Sequence, residues 1–222
     1  MRTDSAISNP QSIRNPQSAI RNDARRSRRI FSAISALTLL PFCEWLAGTS
    51  GSTALRESLL VYPLLETTHV LTLCVFLGTA VMLDLRLIGL TLVRVPMSEI
   101  ERRLGPWMLG GFLVMATTGM LLFYAIPVRS YQSIFFRTKI VALVLAGLNA
   151  FVFHSTIDRR IAEWDRDPVP PRAARRAGAR SLVLWAIIVV AGRMIAYNWF
   201  DCDKQPQPPI VNVLAGCVVR PR

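Results

Sequence analysis

The chain has 222 residues, 52% of them hydrophobic, with a mean hydropathy of +0.37 and a formal net charge of +12. The apolar content exceeds the roughly 45–50% usual for soluble domains. The charge does not indicate a nucleic-acid partner, because the arginines gather between apolar runs, which is the pattern of membrane topology.

Residues 5–22 read SAISNPQSIRNPQSAIRN, nearly three copies of the unit IRNPQSA. A short tandem DNA repeat whose length is not a multiple of three gives such a unit when read through all frames. Residues 1–29 are therefore expected to be a disordered repeat tail, translated from ahead of the true start. The alternative is a disordered basic arm, since Pro, Ser, Asn and Arg cannot build a core. Next, RRSRR leads into the apolar run Ile30–Phe42. Pro41 and Trp45 suit an interfacial helix over Ile30–Leu46, with a fifth spanning helix as the alternative.

Four later segments have the roughly 17–25 apolar residues that cross a bilayer. They are Leu59–Leu83, Trp107–Ile126, Phe135–Ile157 and Ser181–Tyr197. In lipid every backbone N–H and C=O needs an internal partner, so such runs become helices. The expectation is an all-α, polytopic membrane protein. Residues 30–200 form an up-and-down bundle of four transmembrane helices with the N-terminal helix beside it, and residues 201–222 form an outward tail. MSEIERRLGPW reads as an amphipathic lead-in to a second helix that starts at Pro106, and RDPVPPRAARRAGAR as a flexible loop touching anionic lipid. Gly110, Gly111 and Gly119 favour close helix packing, and Asn149 a hydrogen bond between helices.

Within the first span, LLETTHVLTLC places Glu66 and His69 three residues apart. At about 100° per residue from Tyr62, Glu66, His69, Leu73, Ala80 and Asp84 share one face. Ionisable side chains are costly in a membrane and seek a partner. At about 1.5 Å per residue, Glu66 and Arg193 both lie about 10 Å below the outer surface. The first and last helices of such a bundle are neighbours. A buried polar cluster of Glu66, His69, Arg193 and Tyr197 is therefore expected, with Glu66 pairing with Arg193. It would be a structural ion pair, or a pocket for a small anion, a quinone head group or a proton path.

Two histidines in apolar helices also raise b-type haem as a cofactor, with His69, Met115 and His154 as candidate ligands. His154 lies roughly 9 Å deeper than His69, which disfavours one haem between the two; His69 with Met115 matches in depth. His154 otherwise reads as an interfacial residue beside Asp158 and Arg159. The chain has no CxxCH, CxxC zinc pattern, Walker loop, GxSxG or HExxH, so no catalytic or metal site is assigned.

Eleven basic residues lie in the first and third loops and seven on the opposite side. The positive-inside rule then makes residues 86–104 and 159–180 cytoplasmic and turns the C-terminus outward. Cys202 and Cys217 would face an oxidising compartment, if the membrane is a bacterial inner membrane, and form a disulfide.

FCEWLAGTSGSTALRESLLVYPLLETTHVLTL, DLRLIGL and GRMIAYNWFDC resemble a family of small bacterial integral-membrane proteins that carry a domain of unknown function. The likeness covers about Phe42–Cys217. It implies fold and a bacterial inner-membrane location, and no activity. The leading expectation is a non-enzymatic membrane component in the lipid bilayer, a subunit alongside other membrane proteins. The alternatives are a b-type haem electron-transfer protein and a small proton-coupled transporter.

Overall fold

A computed structural model describes residues 39–197, 202 and 206–217. The repeat tail and residues 30–38 of the expected N-terminal helix lie outside the described residues. The described elements are helical: α1 Leu40–Ala47, α2 Ser50–Glu57, α3 Val61–Ile88, α4 Met97–Ala125, α5 Pro127–Tyr131, α6 Ile134–Val152, α7 Ile161–Trp164, α8 Arg172–Tyr197 and α9 Pro209–Ala215. A π-helical turn, Phe153–Ile157, prolongs α6. Among the described residues, four helices are long and apolar enough to cross a membrane: α3, α4, α6 with its π turn, and α8. The protein is a helical, multi-pass membrane protein.

The chain from Cys43 onward is one compact unit. The four long helices alternate in direction, so the bundle has two ends. The end with α2, α5 and α9 is called the tail end, and the end with the arginine-rich connections the loop end. Glycines set the spacing between helices. A β-carbon on Gly111 of α4 would lie 3.3 Å from Phe76 of α3, and one on Gly178 of α8 would lie 2.9 Å from the Asp84 carbonyl. Gly110, in contrast, faces open space. Phe76 meets Trp185 edge-on at 4.7 Å in a mid-bundle core completed by Ala80, Met115, Ala142, Ala146 and Ile188. Helix α3 packs against α4 and α8, and α6 against α8. Helices α4 and α6 scarcely meet along their spans; near the tail end Phe123 stacks on Phe136 at 5.5 Å.

Two helices begin earlier than the hydropathy suggests. Helix α4 starts at Met97 and runs through Pro106. The proline gives up a bond to the Arg102 carbonyl, which lies in the exposed first turns where water can replace it. Helix α8 starts at Arg172, directly after Pro170 and Pro171. The stretch RAARRAGAR is rich in two of the best helix formers, so the expected flexible loop is largely helix.

A buried node ties the loop end together. Arg86 is fully buried; its Nε donates to the Val95 carbonyl at 3.1 Å and its Nη2 to the Asp167 carbonyl at 3.2 Å. The Asp165 carboxylate accepts from the Ser98 N–H at 2.7 Å and the Ser98 hydroxyl at 2.8 Å, capping α4 from another segment. These two bonds hold the Asp165 carboxyl below the usual carboxylate range.

At the tail end, Ser52 is fully buried and donates to the Tyr124 carbonyl at 2.8 Å, and Thr49 bonds the Tyr124 hydroxyl at 2.8 Å. Cys202 and Cys217 form a disulfide. Arg137 of α6 clamps the end of α9 by donating to the Leu214 and Ala215 carbonyls.

Candidate functional site

Helix α8 serves as a ruler for depth. On α3, Phe76 lies level with Trp185 and Asp84 level with Gly178. That antiparallel register places His69 level with Gly192. On α6, Lys139 lies at the same level, its Nζ 3.8 Å from where a β-carbon of Gly192 would be. The Lys139 amine of α6 thus stands beside a glycine of α8, at the level of His69 on α3, roughly 8–12 Å from the tail end at 1.5 Å per residue.

His69 is seated by α4. Its Nδ1 lies 3.0 Å from the Met115 carbonyl and 3.1 Å from the Thr118 hydroxyl. The carbonyl can only accept, so Nδ1 carries the hydrogen. Thr118 gives its own hydrogen to the Val114 carbonyl at 2.8 Å and can accept from the ring. The ring's Cε1 lies against Gly119, whose missing side chain makes the room. Nε2 is left with its lone pair and no hydrogen-bond partner among the described residues.

Lys139 is half-buried and lies close enough to His69 for its charge to act on the ring. No carboxylate and no hydrogen-bond acceptor holds it among the described residues. An ammonium inside the span without a counter-ion is the chief electrostatic feature of this half of the bundle. By charge counting alone Lys139 belongs with a loop. The signal that could have found it is its place six residues into an apolar run capped by Ser133.

Of the expected cluster, Arg193 and Tyr197 come together. His69 instead meets Met115, a candidate haem ligand, through the methionine's backbone carbonyl. Glu66 and Arg193 form no ion pair; both are exposed on their helices. Arg193 instead reaches one turn along α8, donating to the Tyr197 hydroxyl at 3.4 Å with its guanidinium 5.2 Å from that ring. The reason is angular. If Gly192 faces the interior, Arg193 is turned about 100° away, and a long side chain can run toward the membrane surface. Glu66 interacts with Tyr62, one turn before it. His154 sits in the π turn at the loop end, exposed, edge-on to Phe153 at 5.3 Å.

The haem expectation meets a steric difficulty. A macrocycle between His69 and Met115 would have to push apart helices that meet here through a direct hydrogen bond. Met115 is also enclosed with Phe76 and Trp185. As packed, His69 and Met115 leave no room for a macrocycle between them.

Residues 58–198, more than half of the chain, match the profile of DUF6644, a family of unknown function, and the chain belongs to that family. Neither a curated protein nor a solved structure matches it.

Proposed function

We propose that this member of DUF6644 is a non-enzymatic membrane component that binds an anionic group at its tail end, between α3, α6 and α8. Lys139 carries the proposal: a cation inside the span, beside His69 and Gly192, with no acid of its own among the described residues. A buried charge is tolerated when something of opposite sign completes it. The glycine leaves space between the two bases, and the His69 Nε2 adds an acceptor for a ligand hydroxyl. A carboxylate, a phosphate or an acidic lipid headgroup has the required chemistry.

In this reading the tail end faces outward across a bacterial plasma membrane, as the arginine bias and the cysteine pair suggest. The weak packing between α4 and α6 supports association with other membrane subunits along that side.

Native mass spectrometry of protein released from mild detergent tests the binding claim. Wild-type protein should retain an anionic adduct that Lys139→Gln loses while keeping its helical circular dichroism. Equal adducts on both proteins, or none on either, would remove the support. The visible spectrum before and after dithionite tests the haem alternative, which requires a Soret band.

A further inference from the structure

A second unsatisfied site lies at the other end of the bundle. Asp84 on α3 is only 7% exposed, and its Oδ2 is buried with no hydrogen-bond partner. Asn149 on α6 donates its Nδ2 to the Ala177 carbonyl at 3.0 Å, and its Oδ1 is also buried without a partner. The Ser181 hydroxyl of α8 supports Asp84. All three groups converge on one turn of α8.

The angles show where they point. With Gly178 at 0°, facing α3, Ser181 falls near −60° and Ala177, facing α6, near −100°. Ser181 therefore projects into the wedge between α3 and α6, with Asp84 on one side and Asn149 on the other. Level and direction agree for all three.

This set is rich in acceptors. A carboxylate oxygen and an amide oxygen have no donor, and Ser181 has one hydrogen to give. Buried polar atoms are normally paired, and an unpaired carboxylate in an apolar interior is among the costliest groups a protein can hold. No basic side chain among the described residues relieves it. Arg86, on the same helix, is turned about 200° away; its Nε and Nη2 donate to loop carbonyls, and its Nη1 is buried there without a partner. From α8 the group facing Asp84 is Ser181; on α6, Asn149 lies against the same turn of α8 through the Ala177 carbonyl. The missing component must bring positive charge and be small. The donors are all oxygens, which suit a hard cation. A single carboxylate neutralises one charge.

We propose that Asp84, Asn149 and Ser181 form a site for one monovalent cation, a proton or a sodium ion, at the loop end of the bundle. It is separate from the Lys139 site, about 21 Å away along α8 at 1.5 Å per residue. The two stand or fall independently. A bound proton would sit on Asp84 and give the carboxyl a hydrogen to donate toward Asn149. A sodium ion would bridge the three oxygens.

The test uses full-length protein in nanodiscs of neutral lipid. Thermal unfolding is followed as sodium chloride replaces choline chloride at constant ionic strength. Infrared spectra at neutral pH are recorded in sodium-free buffer. For sodium, the melting temperature should rise with sodium in wild type and stay flat in Asp84→Asn. For a proton, there should be no sodium effect, and wild type should show a protonated-carboxyl band that Asp84→Asn lacks. Should Asp84→Asn fail to fold, Asn149→Leu should shrink the sodium shift or move the carboxyl band. An ionised Asp84 with no sodium response in wild type, or responses identical in the variants, would overturn the site.

Discussion

The imidazole of His69 occupies the space that a side chain at residue 119 would fill: a β-carbon there would lie 3.1 Å from Cε1 and 3.6 Å from Nδ1. The glycine on α4 and the histidine on α3 are thus one fitted pair, and the ring's two hydrogen bonds depend on that fit. Adding volume at residue 119 should act on His69 first.

Gly119→Ala should lower thermal stability modestly, and Gly119→Val more. Overpacking typically costs about 1–3 kcal/mol. Nitrogen NMR of labelled His69 should show the Nδ1–H form in wild type and a tautomer mixture in the valine variant. An unchanged spectrum in the valine variant would mean that the ring does not rest on Gly119.

Glu66→Gln and Arg193→Gln should be additive. Residues that share no partner couple by less than about 0.5 kcal/mol in a double-mutant cycle. The variant that should couple to Arg193→Gln is Tyr197→Phe, which removes the hydroxyl it donates to. Strong coupling between Glu66 and Arg193 in detergent-solubilised protein would restore the ion pair expected from depth alone.

Acid should loosen the loop end. Asp165 is held below its ordinary pKa of 3.8 by the Ser98 N–H first and then by the Ser98 hydroxyl. Its folded value is depressed, so its contribution is complete above the unfolded pKa and falls away as pH drops through the folded one. Hydrogen exchange at the start of α4 should accelerate below about pH 4 in wild type. Asp165→Asn should show the faster exchange already at neutral pH, at a cost of about 1 kcal/mol, typical of a lost cap.

The two remaining cysteines should differ from the bridged pair. Cys43 is buried, and burial together with the neighbouring Glu44 raises its thiol above the ordinary range. Cys74 lies exposed on a spanning helix, where lipid surrounds it. Water-soluble maleimide should label both slowly, because the thiolate is the reactive form. Protein purified without reductant should show no free thiol at Cys202 or Cys217. Rapid labelling of Cys74 would reveal a water-filled route into the bundle.

Reduction should release the tail. With the disulfide opened, α9 is held by Arg137 and its flanking contacts. Arg137→Ala combined with reductant should free α9 to proteolysis, and either change alone should have a smaller effect. Equal cleavage in all four conditions would show that the clamp contributes nothing.

The number of spanning helices, their approximate places and the family likeness were legible in the linear chain. Apolar runs of bilayer length have one stable backbone solution, which needs no knowledge of neighbours. The common level of His69 and Met115 was legible too, since depth along a helix follows from residue count; that the ring bonds the methionine's backbone carbonyl was not. What faces what was decided by tertiary structure. Arg193 and Glu66 match in depth, yet a turn of about 100° from Gly192 carries Arg193 along its own helix to Tyr197. Lys139 falls inside the apolar run Phe135–Ile157, but only the packing of α6 on α8 brings its amine beside Gly192. Asp84 and Asn149 are 65 positions apart in sequence, and only the packing of α3 and α6 on α8 brings both against one turn of that helix. Hydropathy and periodicity are properties of one helix at a time. The partners of a buried polar group depend on the rotation of several helices about their own axes, and that rotation is set by side-chain volume, above all at Gly111, Gly119 and Gly178.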